Sequence, residues 1–142
     1  MTAQQQIIAK YGMPGAIYQS KYCTLWQIDA AFPWFPAKRI LINTDFKERW
    51  ELALKNIFDA NLHHEIITFD GCYVERKVRG RSAISLHSWA MAFDLNAHLE
   101  RLGQIETHWS AEFLALISAA GISWGGNFQK RKDNMHFSLY NG

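Results

Sequence analysis

The stretch Ser85-Leu86-His87-Ser88-Trp89-Ala90-Met91-Ala92-Phe93-Asp94-Leu95 decides how the chain folds. From Ala90 onward the residues alternate. In an extended chain Met91, Phe93 and Leu95 share one face, and Ala90, Ala92 and Asp94 share the other. The first face is core. The second sets a carboxylate among small side chains, which leaves space for an ion and a substrate. Residues 135–140 repeat the pattern, with Met135, Phe137 and Leu139 on one face and His136, Ser138 and Tyr140 on the other. If the two segments are neighbouring antiparallel strands, Asp94 and His136 come together.

A carboxylate between Phe93 and Leu95 needs a partner or a metal, because unpaired burial of a charge is costly. His136, also inside an apolar run, raises the same question. His87 stands seven positions before Asp94, a spacing that means little by itself. Taken together, His87, Asp94 and His136 are two imidazoles and a carboxylate, a zinc-ligand set with room for a water. Asp133, three residues before His136, is then left to act on that water. The competing reading makes Asp133 a turn residue that caps its own backbone.

Working outward, residues 1–15 are polar and end in a turn at Pro14-Gly15. Residues 16–42 read as irregular and aromatic-rich, because Phe32-Pro33-Trp34-Phe35-Pro36 cannot be a helix interior. Ile40-Leu41-Ile42 is a short extended piece. A helix is expected over 46–60, with Asp45 as N-cap, Glu48 completing a capping-box pattern, and Phe46, Trp50, Ala53 and Ile57 on its buried face. A strand is expected from His64 to Phe69, then a turn at Asp70-Gly71 and a basic connection over 72–84. A second helix is expected over 109–120, with Phe113, Ile117 and Ala120 inward and Gly121 beyond its end. Trp124-Gly125-Gly126 reads as a turn that backbone can approach closely. The fold class is therefore α+β, a small, mainly antiparallel sheet with helices packed on it, in one domain spanning residues 1–142.

Composition narrows the classes. Hydrophobic residues are 49% and charged residues 20%, as in a soluble globular domain. Cys23 and Cys72 are too few for a disulfide framework and read as reduced thiols. Met1 to Lys10 lacks the features of a signal peptide, and no run is apolar enough to span a membrane. Synthesis in the cytoplasm follows, with some other route of delivery if the substrate lies outside. Basic residues cluster at Arg76, Lys77, Arg79 and Arg81, and at Lys130, Arg131 and Lys132. These are either solvated surface or attractors of an anionic polymer. A nuclease would need a base-stacking or phosphate-cradling element, which the sequence does not offer, so no nucleic-acid partner is expected.

The pattern S-x-H-x-x-x-x-x-x-D, then W-G-G, then D-x-M-H-F, resembles the VanY-type zinc peptidases. These are the D-alanyl-D-alanine carboxypeptidases and the L-alanyl-D-glutamate endopeptidases, phage endolysins among them. The pieces here are Ser85-Leu86-His87, Asp94, Trp124-Gly125-Gly126 and Asp133-Asn134-Met135-His136-Phe137. Phe69-Asp70-Gly71-Cys72-Tyr73 with Arg76 is also similar to the family pattern, and the resemblance covers residues 45–140. One departure is Ala90, where the family usually carries Gly. The resemblance implies the fold shared by D-alanyl-D-alanine peptidases and hedgehog-type domains. It implies zinc on His87, Asp94 and His136, with Asp133 as general base. Arg76, with Arg79 and Arg81 behind it, is the expected cationic donor to the tetrahedral intermediate. Ser85 is expected beside the substrate or orienting a ligand, and Trp124 along the cleft unless core packing claims it. The implied reaction is hydrolysis of an amide bond in the peptidoglycan stem peptide. An L-alanyl-D-glutamate endopeptidase is expected, acting as a monomer on the cell wall in phage or prophage lysis. The alternatives are a D-alanyl-D-alanine carboxypeptidase and a non-catalytic wall or virion module.

Overall fold

A computed structural model of the protein describes residues 1–74 and 83–142. The N-terminal third is more regular than its sequence suggests. Helix α1 (Ala3–Tyr11) starts at Thr2, whose hydroxyl accepts from the Gln5 amide while the Gln5 side chain accepts from the Thr2 amide. Helix α2 (Ala16–Tyr22) follows, then strand β1 (Cys23–Trp26), the short helix α3 (Ile28–Ala31) and strand β2 (Ile40–Asn43). β1 and β2 pair antiparallel from Cys23↔Asn43 to Trp26↔Ile40. The expectation of irregular chain over 16–42 is corrected by this ladder. Each strand is only four residues long, so its partner across the intervening loop supplies the regularity, not its own pattern.

Helix α4 (Thr44–Asp59) buries Phe46, Trp50, Ala53 and Ile57 as the spacing requires, and Leu54 with them. Its cap is Asn43, not Asp45: the Asn43 carboxamide oxygen accepts from the Phe46 amide at 3.0 Å. Asp45 instead accepts from the Tyr11 hydroxyl, tying α1 to the start of α4. The strand expected from His64 to Phe69 is a 3-10 turn (His63–Glu65) followed by irregular backbone, and strand β3 is Phe69–Gly71. Asn96 explains the difference. Its Oδ1 accepts from the amides of Ile67 and Thr68, and its Nδ2 donates to the Glu65 carbonyl. A buried side chain thus satisfies backbone groups that a ladder would otherwise claim.

Strand β4 (Ala92–Leu95), helix α5 (Ala111–Ala119), strand β5 (Ser123–Trp124) and strand β6 (His136–Ser138) complete the described elements. Ser110 caps α5 by accepting from the Phe113 amide. The second sheet has the order β3-β4-β6-β5, all pairs antiparallel, and β4 and β6 meet in the register Phe93↔Phe137 and Asp94↔His136. Phe93 stacks on Trp50 of α4 at 4.7 Å, and Phe137 lies edge-on to Trp50 and to Trp109, which itself stacks on Phe113 of α5. These aromatic faces hold β4 and β6 against the two long helices, and each fully buried ring contributes about 1.5–3 kcal/mol relative to exposure. The alternating pattern does the rest, setting Asp94 and His136 side by side on the face opposite Phe93 and Phe137.

Ala90 stands where the chain turns into β4. Its backbone is left-handed (φ 53°, ψ 38°) and its side chain is fully buried. That conformation is open to Gly at no cost and strains any other residue. Alanine is the smallest substitute, so the turn survives. Ala90→Val adds a β-branched side chain to the same strained, enclosed position. It is expected to lower stability by about 2–4 kcal/mol, measured as a shift in the denaturant midpoint at unchanged slope.

Candidate metal centre

His87 sits in a 3-10 turn (Leu86–Trp89) capped by Ser85, whose hydroxyl accepts from the His87 amide at 3.3 Å. The turn is anchored to the chain after β3: the Val74 amide donates to the His87 carbonyl, and His87 Nδ1 lies 2.7 Å from the Cys72 carbonyl. A carbonyl only accepts, so Nδ1 carries the proton and Nε2 presents its lone pair. His136 is held the opposite way round. Its Nε2 donates to the Gly142 carbonyl at 3.0 Å, leaving Nδ1 as the free lone pair. Those two nitrogens converge on one carboxylate, His87 Nε2 at 3.2 Å from Asp94 Oδ2 and His136 Nδ1 at 3.5 Å from Asp94 Oδ1.

This arrangement fits a metal. One donor atom each from His87, Asp94 and His136 lie within 4.8 Å of one another. His87 Nε2 and Asp94 Oδ1 are buried and have no hydrogen-bond partner within the protein. Two imidazole lone pairs facing a carboxylate in a site this enclosed require a cation, either a proton or a metal ion. The electrostatics agree. Burial alone would raise the Asp94 pKa, but His136 and then His87 overcome it and hold the carboxyl far below the usual range. Burial would lower the pKa of His136, and Asp94 reverses that, so the metal-free imidazole binds its proton more tightly than usual.

Asp133 lines the same cavity as the three donors, together with Ser85, Leu102 and Phe128. Its Oδ1 is buried with no hydrogen-bond partner. Burial raises its pKa, an effect only partly opposed by His136 and reinforced by the negative charge of Asp94. The turn that carries it is fixed by backbone. The Asp133 amide donates to the Gly125 carbonyl at 3.0 Å, and the Asp133 carbonyl accepts from the His136 amide at 3.1 Å. Asp133 and His136 are thus set by one four-residue turn.

The Trp-Gly-Gly motif serves that turn. A Cβ on Gly125 would stand 2.3 Å from the Asp133 carbonyl oxygen, and one on Gly126 would stand 2.1 Å from the Trp124 ring. Trp124 lies outside the cavity wall. Its indole N–H donates to the Asn134 carbonyl at 2.9 Å, as does that of Trp109, while the Asn134 carboxamide donates to the carbonyls of Gln104 and Glu106. The sequence reading includes Asn134 only as a motif position and gives neither it nor Trp109 a role. The signal for Asn134 was a polar residue inside the D-x-M-H-F motif, and it is now 1% exposed. Gly125→Ala is expected to push the Asp133 turn outward, costing about 1–3 kcal/mol of stability and most of any activity. Calorimetry and a turnover assay on the same preparation check both.

Arg76, Arg79 and Arg81 lie outside the described residues. Among the described residues Cys23 and Cys72 are free thiols, and no helix is long and apolar enough to cross a membrane.

Residues 79–139 match the family model described as D-alanyl-D-alanine carboxypeptidase. The match spans His87, Asp94, Asp133 and His136, and it supports the VanY-type zinc peptidase family for this chain. A peptidoglycan-acting metallopeptidase is the class that the match and the buried His-Asp-His group support together. No curated protein and no solved structure matches the chain.

Proposed function

We propose that the protein is a zinc peptidase that hydrolyses an amide bond in the peptidoglycan stem peptide, acting as an L-alanyl-D-glutamate endopeptidase. The observation that supports this reading is that His87, Asp94 and His136 bring together three donor atoms able to hold a metal, with a second carboxylate, Asp133, in the same cavity. His87, Asp94 and His136 hold the ion. Zinc, when bound, supplies a Lewis acid for the scissile carbonyl and brings the pKa of a water to about 7. Asp133 accepts the proton of the attacking water and returns it to the leaving amine. Its burial keeps it basic enough for the first step, and its protonated form is the acid for the second. Ser85 fixes the turn that aims His87, and Gly142 and Cys72 fix the ring orientations of the two imidazoles. Arg76 remains the proposed donor to the carbonyl oxygen as charge builds there.

The D-alanyl-D-alanine carboxypeptidase reading is the alternative, favoured by the description of the matched family. Digestion of purified peptidoglycan separates the two. New N-terminal D-glutamate without accumulation of free D-alanine is expected, read by mass spectrometry, and a chelator abolishes the release. Free D-alanine without L-alanyl-D-glutamate cleavage replaces the endopeptidase with the carboxypeptidase. A zinc-loaded protein that leaves peptidoglycan intact removes both and favours a non-catalytic module.

A further inference from the structure

The cavity that holds the metal donors and Asp133 is also lined by Arg131. Among its described lining residues Arg131 is the only Lys or Arg, and it is exposed at the cavity rim. The cavity's apolar lining side chains are Leu86, Leu102, Phe128 and Met135. A ligand entering this cavity therefore meets carboxylates, imidazoles, hydrocarbon side chains and, among the described residues, one guanidinium. The backbone on the C-terminal side of Arg131 is pinned. The Lys132 carbonyl accepts from the Gly103 amide at 2.7 Å, and the Asp133 amide donates to Gly125. Arg131 stands two residues before the proposed base, next to this pinned backbone. Its positive charge reaches Asp133, working against the burial that raises that carboxyl.

A guanidinium fork lining a cavity matches a carboxylate in two-point geometry, which a neutral amide cannot reproduce. The apolar lining suits a methyl side chain. We propose that Arg131 recognises a substrate carboxylate near the scissile bond and makes the cleft selective for stem peptides with that group free over the same peptides amidated. The proposal rests on the peptidoglycan reading above. The carboxylate has two sources in a stem peptide, the α-carboxylate of D-glutamate and the C-terminal carboxylate of D-alanine.

The test uses zinc-loaded full-length protein and two pairs of synthetic stem peptides. One pair differs in D-glutamate as acid or amide, and the other in terminal D-alanine as acid or amide. Wild type is expected to prefer the acid in one pair by about 10–100-fold in kcat/KM, the size of a hydrogen-bonded charge pair. Arg131→Gln erases that preference by raising KM for the acid, with zinc content, kcat and turnover of the amide retained. Arg131→Lys restores part of it. The pair that shows the effect names the carboxylate. Equal turnover of acid and amide by wild type, or equal losses on both in Arg131→Gln, overturns the proposal. Should zinc-loaded wild type cleave none of the peptides, the peptidase reading fails on its own. Calorimetric titration then still decides Arg131: acid peptide bound more tightly by wild type than by Arg131→Gln upholds carboxylate recognition, and equal binding ends it.

Discussion

Asp133→Ala is expected to keep its zinc and to lose about 10²–10⁴-fold in kcat, the usual size of a general acid–base contribution. The separation follows from the geometry. The donors that converge belong to His87, Asp94 and His136, and each imidazole already has its second nitrogen committed to a carbonyl. Asp133 lines the cavity beside them, and its burial and the charge of Asp94 both push its pKa up. Asp133 is not among the converging donors, so its loss removes only a nearby negative charge and metal affinity is expected to stay within about tenfold of wild type. The turn itself survives, because its hydrogen bonds to Gly125 and His136 are made by backbone. Elemental analysis and turnover on the same sample test the claim. A variant that loses zinc along with activity would falsify the assignment of Asp133 as base and move it among the ligands.

Replacing a ligand has the opposite signature. His87→Ala, Asp94→Ala and His136→Ala are each expected to abolish stoichiometric zinc and, with it, activity. The stability readout is independent of turnover. An ion that binds only the folded state stabilises it by about 4 kcal/mol at a thousand times its dissociation constant. Wild type therefore rises in Tm when zinc is added, and the three variants do not. The same linkage sets a pH dependence. Zinc needs His136 neutral, and the partnership with Asp94 raises the proton affinity of that imidazole in the metal-free protein. Protons therefore compete most strongly at low pH. Zinc affinity is expected to climb as pH rises, and to go on climbing above about 6.5, the pKa of an unperturbed histidine. Titration calorimetry across that range checks it, and a flat profile would remove His136 from the ligand set.

Much of this site is local enough to read from residue order. The alternation in 91–95 and 135–139 specifies two strands with one apolar face each, and the register Asp94↔His136 then follows from pairing them. The apolar face of α4 is equally legible, because a helical period of 3.6 residues is a property of one segment alone. The caps were less so. Asn43 and Asp45 are both good N-cap residues, and the choice fell to Asn43 because the Tyr11 hydroxyl, 34 positions away in the chain, occupies Asp45.

Other features depend on contacts that no single segment contains. The β1–β2 ladder joins two strands too short to declare themselves, and the 64–68 segment is drawn off the sheet by the Asn96 carboxamide. Trp124 and Trp109 were readable as bulky aromatics, but only packing shows both indoles donating to one carbonyl at Asn134. That the exposed Arg131 also lines the cavity is of the same kind. The sequence by itself singled out His87, Asp94 and His136, the strand faces that carry Asp94 and His136, and the helices α4 and α5, because periodicity and side-chain chemistry are local. Only the tertiary structure decided which imidazole nitrogens are free, why Gly125 must lack a side chain, and that Arg131 lines the cavity. Those depend on backbone carbonyls and neighbouring elements brought in from distant parts of the chain.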